Sequence, residues 1–355
     1  MSHDRNRSLT LFTLTALLGA CSAPPPAPDG LRLASPSRNL PAEEVGFSPL
    51  SAPLFEPVEA SSDSPTPPVD APVDDSPAPP TWDGPLTLAD DDALSAFCDA
   101  GFDSVLGDLT VTGAVTDLAS LSCLTWVRGD LRVELAPGLP RIEGLALLTD
   151  VGGDLVLGGL ASARELGGFD VLAEVGGDVV LTGLPQATAF PTFPALHTIG
   201  GDLVVDGAPR LLDWEPLPSL TSVNDVGFRD AALQRLGGFD GLVRVGALSL
   251  RWLPDLDSVE GLPLLQEVSG DFVVERLGGA EALTLPASLA VVGGEVRVFD
   301  NPGYVDLEEL LALESVGRDL VIDANPSLGS VYAASVGAAL EPRVAGHVVL
   351  GRNGE

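Results

Sequence analysis

Val151-Gly152-Gly153-Asp154-Leu155-Val156-Leu157 recurs further along the chain as Val175-Gly176-Gly177-Asp178-Val179-Val180-Leu181, and again as Ile199-Gly200-Gly201-Asp202-Leu203-Val204-Val205. Looser copies begin at Val127, Val268, Val292 and Val316. The acidic position, the slot, falls at 108, 130, 154, 178, 202, 225, 271, 295 and 319, with Ala247 filling the long gap and His347 in a final imperfect copy. Subtracting each slot number from the next gives 22, 24, 24, 24, 23, 22, 24, 24 and 24 through Asp319. A near-constant period of this size marks an architecture of stacked repeats.

Between the copies, apolar residues fall at every third position, as in Ile142, Leu145, Leu148, Val151 and in Leu166, Phe169, Leu172, Val175. A three-residue step suits short turns and 3₁₀-like segments better than a long helix. Within each copy, alternate residues such as Leu155 and Leu157 point to one side of a short strand. One unit has no means of burying that side alone, whereas stacked units bury a continuous apolar column and pair their strands in parallel. The expectation is an all-β parallel β-solenoid of about ten coils of roughly 22–24 residues. At about 4.8 Å per strand, ten coils make a rod of roughly 50 Å. Its open ends need covers: Asp90 to Cys98 reads as a short capping helix with acidic residues at its start, where the helix dipole favours them, and residues 329–340 read as a helix near the other end.

The Gly-Asp-Leu-Val-Val strands, the Leu-x-x-Leu-x-x-Val runs before them and the opening Cys98…Gly107-Asp108-Leu109 pattern resemble the receptor L-domain family, leucine-rich-repeat-like in build, over about residues 90–350. The resemblance implies a right-handed parallel β-solenoid used for binding rather than for chemistry. The chain departs from it in two shortened coils around Asp225 and Ala247 and in lacking a Cys at the C-terminal end.

The rest of the chain reads differently. Arg5 and Arg7 precede a short apolar run from Leu11 to Leu18, followed by Leu18-Gly19-Ala20-Cys21. These are the parts of a secretory signal, and the apolar run is too short to span a bilayer. The ending resembles the lipobox of bacterial lipoproteins, which implies signal removal over residues 1–20 and a lipid on Cys21; ordinary cleavage after Ala20 is the alternative. Ser22, where inner-membrane lipoproteins often carry Asp, favours the outer membrane by the same analogy. Residues 21–85 are rich in Pro, Ala, Ser and Asp and read as a disordered tether, because Pro blocks regular structure and apolar side chains are sparse. Residues 86–355 form the repeat domain. In an oxidising envelope the two remaining cysteines, Cys98 and Cys123, are expected to pair as a disulfide.

The chain carries 51 Asp and Glu against 18 basic residues, every one of them Arg, for a net charge of −33. Nucleic-acid binding needs clustered cations and is excluded as a function class. Catalysis has no support either: the three histidines, His3, His197 and His347, stand in no triad spacing, and carboxylates recur in every coil instead of gathering at one place. No cofactor or enzyme activity is expected. The slot carboxylates are expected to accept hydrogen bonds from the Gly-rich turns; a calcium ladder through Asp130, Asp154, Asp178 and Asp202 is the weaker reading, resting on the taste of hard cations for carboxylate oxygen. The candidate binding face is the outward side of the strands: Arg132, Val156, Val180, Val204, Arg229, Arg251, Val273 and Arg297. The function expected is that of a lipid-anchored envelope protein, periplasmic or surface-exposed, held by its N-terminal lipid and presenting a solenoid to a protein or glycan. The alternatives are a spacer or coat protein without a specific ligand and, more remotely, a carbohydrate-active enzyme.

Overall fold

The computed structural model describes residues 79–190, 193–214, 217–256, 259, 262–278, 286 and 288–355. The export signal, Cys21 and nearly all of the tether lie outside the described residues. The described part is mostly β, with few helices, and every strand pairing in it is parallel.

Twelve strands form one sheet in strict chain order. They are β1 (Leu86–Leu88), β2 (Leu109–Val111), β3 (Leu131–Glu134), β4 (Leu155–Gly158), β5 (Val179–Thr182) and β6 (Leu203–Ala208). They continue as β7 (Val226–Ala231), β8 (Leu248–Leu253), β9 (Phe272–Leu277), β10 (Val296–Phe299), β11 (Leu320–Asp323) and β12 (Val348–Gly351). The repeats stay in register: Leu155 pairs with Val179, which pairs with Leu203. Twelve strands exceed the ten or so repeats read from the sequence at both ends. β1 has Pro85 where the slot would be and no Gly-Asp pair to announce it, and β12 belongs to the imperfect copy after Gly346.

Two-residue strands just before the slots form a second parallel layer, from Thr81–Trp82 to Thr198–Ile199 and again from Arg244–Val245 to Ser315–Val316. Its interruption coincides with the two shortened repeats. Removing a residue between this layer and the slot leaves only an isolated bridge, Thr198 to Ser222, to carry the pairing.

The three-residue step is the core. Ile142, Leu145, Leu148 and Val151 are buried, as are Phe169, Leu172, Val175, Phe193, Leu196 and Ile199. The turns between them close by i→i−3 bonds, in which the Leu148 N–H donates to the Leu145 carbonyl and that of Leu172 to Phe169. This is the 3₁₀ pattern that sets the step. The first shortened repeat holds the largest buried side chain, Trp214, which packs on Phe228 at 4.9 Å between ring centres and on Phe190 at 5.0 Å.

The N-terminal end is covered by α1 (Asp91–Asp99), which turns Leu94 and Phe97 inward. Asp90 caps it by accepting from the Ala93 N–H (2.8 Å), and Asp91 ties it to the next turn through the Thr116 N–H and hydroxyl. Cys98 and Cys123 are joined as a disulfide, with Cα atoms 5.8 Å apart, fastening α1 to the first full repeat. Closing a loop of this length stabilises by about 3 kcal/mol. Cys98→Ser is therefore expected to lower N-terminal stability by about that amount. Because repeats couple mainly to their neighbours, hydrogen exchange should speed up in residues 81–135 and stay unchanged beyond β6. Near the other end, α2 (Ser330–Leu340) fills the crossover between β11 and β12, burying Ala333, Val336, Gly337 and Leu340.

Candidate functional site

Three columns of residues run the length of the twelve-stranded sheet, and each has its own chemistry. The slot column is a chain of backbone clamps. One carboxylate oxygen of Asp108 accepts the N–H of Asp130 (3.0 Å), and the same bond runs from Asp154 to Asp130, Asp178 to Asp154 and Asp202 to Asp178 at 2.8–2.9 Å. Asp225 accepts in turn from the Ala247 N–H (2.7 Å), and there the column is interrupted, because Ala247 has no carboxylate to offer. It resumes at Asp271, which accepts from Glu295, and at Asp319, which accepts from His347 (2.8 Å each). Each clamp fixes the turn of the repeat above it. It also explains the Gly before the slot: a Cβ on Gly153, Gly177 or Gly201 would lie 2.0–2.2 Å from the carboxylate oxygen of the repeat below.

The bond from the Asp154 N–H, and then the Arg132 guanidinium at 2.7 Å, hold the Asp130 carboxyl below the ordinary carboxylate range against a desolvation that opposes them. A group depressed in the fold contributes stability above its unfolded value, near 3.9, and loses it as pH falls through the folded value. Asp130→Asn is thus expected to be less stable than the parent at pH 6, with the gap closing as pH falls below about 4. Urea titrations of both proteins from pH 6 to pH 2 check this; a gap that widens in acid contradicts it. Among the described residues no group of three or more His, Cys, Asp or Glu is arranged to hold a metal ion.

The outward strand column holds the candidate face read from the sequence. Val156 and Val273 are buried, and Val180 and Val204 are half-buried. In-register strands set side chains about 4.8 Å apart, so each Val lies against its register partners: Arg132 and Val180 for Val156, Ser249 and Arg297 for Val273. Arg132 is half-buried and bridges two slot carboxylates, Asp130 (2.7 Å) and Asp154 (3.5 Å). At β7 and β8 the column changes: Gly227 and Ser249 stand between Val204 and Val273. A Cβ on Gly227 would meet nothing nearer than the Leu203 carbonyl at 4.0 Å. The result is a dip in the sheet face, two strands wide.

Arg229 and Arg251 pair side by side along the rim of that dip. Beyond them lies a feature the sequence reading passed over. Five residues after every slot the backbone turns left-handed, at Gly113, Gly159, Gly183 and Gly207 but also at Leu135, Asp230, Trp252, Arg276, Asp300, Ala324 and Arg352, with φ of 44–60° at the non-glycine positions. Glycine adopts this conformation freely, and a side chain there costs about 1 kcal/mol. From Asp230 onward no glycine occupies the position, and two large side chains in it make an arginine–aromatic stack. Trp252, 39 % exposed, lies between Arg229 (4.9 Å from guanidinium carbon to ring centre) and Arg276 (5.2 Å). Phe299 repeats the motif between Arg297 (5.2 Å) and Arg352 (5.7 Å).

Most of these cations also have a carboxylate. Arg276 pairs with Asp300 (2.7 Å), Arg297 with Glu295 (3.2 Å) and Arg251 with Glu275 (4.0 Å), while Arg352 grips Asp323 and holds its carboxyl below the ordinary range. Arg229 has no ion pair among the described residues and is stacked on Trp252 alone. The signal available in sequence was the loss of Gly at a fixed distance from the slot, together with the clustering of five of the 18 arginines at residues 229, 251, 276, 297 and 352.

Nothing in this arrangement pairs a nucleophile with a base. The His197 ring lies 3.0 Å from the adjacent Thr198 hydroxyl, and His347 lies against Asp319 at the last slot. The face offers donors, acceptors and aromatic rings on a paired sheet. No family model, no curated protein and no solved structure matches the chain.

Proposed function

We propose that the chain is a lipid-anchored protein of the bacterial envelope that presents a right-handed parallel β-solenoid of the receptor L-domain type as a binding module. Cys21 carries the lipid, the Pro-rich segment up to about residue 78 holds the repeats away from the membrane, and the outward sheet face around β7 and β8 receives the ligand. The observation that carries this reading is convergence. The shortened repeats, the interrupted second layer, the missing slot carboxylate at Ala247, the dip at Gly227 and Ser249 and the exposed Trp252 stacked on Arg229 and Arg276 all fall within the same stretch of the stack. Local rules are broken together where function demands it, and a spacer or coat gains nothing from such a cluster.

Two measurements test it. On cell fractionation the parent chain is expected in the membrane pellet and Cys21→Ser in the soluble fraction; an unchanged distribution removes the lipid anchor. The full-length Cys21→Ser chain is then expected to co-sediment with isolated envelopes, and Arg229→Glu/Arg251→Glu to lose at least tenfold in affinity. Equal sedimentation of both removes this face as the binding surface.

A further inference from the structure

The face between β6 and β9 recognises a particular chemistry, and the inference rests on the binding reading above. We propose that its ligand is an uncharged linear polysaccharide lying along the stack, with successive sugars over successive strands, the dip at Gly227 and Ser249 seating one ring and Trp252 flanking it.

Charge comes first. Around the dip stand three cations, Arg229, Arg251 and Arg276, among four anions, Asp206, Asp230, Glu275 and Asp300. The patch is therefore close to neutral on a chain of net charge −33. A polyanion gains no net attraction there and is repelled by the whole. A polyol suits the mixture, because each hydroxyl both donates to a carboxylate and accepts from a guanidinium.

Spacing comes second. Asp206, Arg229, Arg251 and Glu275 are register partners in consecutive strands, so polar groups recur about every 4.8 Å along the stack. An extended peptide presents side chains to one side about every 6.6–6.8 Å and falls out of step within two strands. A linear polysaccharide advances by close to one strand spacing per sugar and stays in step.

The strained tryptophan comes third. Gly113, Gly159, Gly183 and Gly207 show that this turn needs no side chain. Trp252 lies within 5.2 Å of two guanidiniums and stays 39 % exposed, so a large, rigid, partly apolar surface for the C–H side of a sugar stands beside the fixed donors of Arg229 and Arg276. Side chains held in unfavourable backbone conformations mark sites where position matters more than stability.

The test is native affinity electrophoresis of full-length Cys21→Ser in gels containing soluble β-glucan, xylan, mannan or dextran, with polygalacturonate as the anionic probe. Retardation by at least one neutral glycan is expected. Gly227→Val fills the dip and is expected to weaken that retardation at least tenfold, while Arg164→Ala, exposed and outside the twelve-stranded sheet, leaves it unchanged. Trp252→Gly is the decisive variant: it relieves backbone strain, so it is expected to melt no lower than the parent and yet to lose retardation. No retardation by any neutral glycan, retardation by polygalacturonate alone, or retardation undiminished in Trp252→Gly each overturns the inference. Envelope sedimentation separates its failure from that of the binding reading. Envelope binding that depends on Arg229 and Arg251 but disappears when envelopes are treated with protease leaves the binding module standing with a protein partner, and removes the glycan. Absence of both envelope and glycan binding removes both.

Discussion

Gly201→Ala is expected to destabilise the repeats by about 3 kcal/mol, the upper end of the cost of overpacking. The new Cβ would sit 2.0 Å from the Asp178 carboxylate oxygen and 2.9–3.0 Å from the backbone of Gly177 and Asp178. Strands on both sides hold that backbone in place, so relief by movement is small. The carboxylate is the closest obstacle, which gives a double-mutant cycle its force. Asp178→Ala alone removes the 2.8 Å bond from the Asp202 N–H and is expected to cost about 1.5–3 kcal/mol, as for hydrogen bonds to charged groups. With both changes the total is expected to fall short of the sum by at least about 1 kcal/mol, because the worst clash is gone. Urea midpoints at constant slope read the cycle, and strict additivity would show that the carboxylate is not what excludes the side chain.

The chain performs part of this experiment itself. Above Ala247, which has no carboxylate, a Cβ on Gly270 would meet nothing closer than 3.1 Å, and above Glu295 the position holds Arg318. Asn224, above Asp202, is the exception; its repeat is a residue short and its amide donates to that carboxylate at 2.7 Å.

Asn325→Leu is expected to cost about 3 kcal/mol, even though Leu160, Leu184, Leu253 and Leu277 occupy the same place in other repeats. Asn301, Asn325 and Asn353 form a ladder beneath the left-handed turn. The Asn325 side-chain oxygen accepts from the Asn301 N–H (3.0 Å) and its amide (3.1 Å), and the Asn325 amide donates to the Val298 carbonyl (3.1 Å). Asn301 and Asn325 are fully buried. Leucine at 325 takes the acceptor from two donors of Asn301 and the amide donor from the Val298 carbonyl, and each unsatisfied buried group costs about 1–3 kcal/mol. Replacing all three asparagines by leucine takes the acceptor from the Leu277, Asn301 and Asn325 backbone N–H groups, so the triple variant is expected to be less stable than Asn325→Leu, but by less than the sum of the single losses because the bonds between rungs are shared. Thermal melts of the single and triple variants decide this; a triple variant that loses the sum of its parts would show the ladder contributes independently at each rung.

The slot, its period and the three-residue apolar step were legible because each rests on a pattern that one repeat displays and the next confirms. Ile142 to Val151 are buried as the step requires, α1 and α2 lie within a residue of the segments read as helices, and Cys98 and Cys123 meet. β1 was not legible, since a strand that ends a stack needs no Gly-Asp pair. The candidate face was legible only in part. Alternation placed Arg229, Arg251 and Val204 on the outward side, but it gave no hint that Val156 and Val273 are buried by their own stacked neighbours.

Sequence alone determined the parallel order, the register of the slot-bearing repeats and the inward residues of their strands and three-residue steps, because local patterning and repetition fix which face each strand turns to the core. It determined the slot as well, since a carboxylate repeated in one place has to meet the same backbone groups each time. Only the tertiary structure decided what the irregular repeats do. Trp252 reaches Arg229 in the repeat before its own and Arg276 in the repeat after it. That stack depends on strand spacing and on a left-handed turn that no neighbouring residue announces. The dip at Gly227 and Ser249 exists only because Val204 and Val273 stand on either side of it. Period is a one-dimensional property and can be read along the chain; a recognition surface is made by side chains brought side by side from separate repeats, and its shape is settled only when they pack.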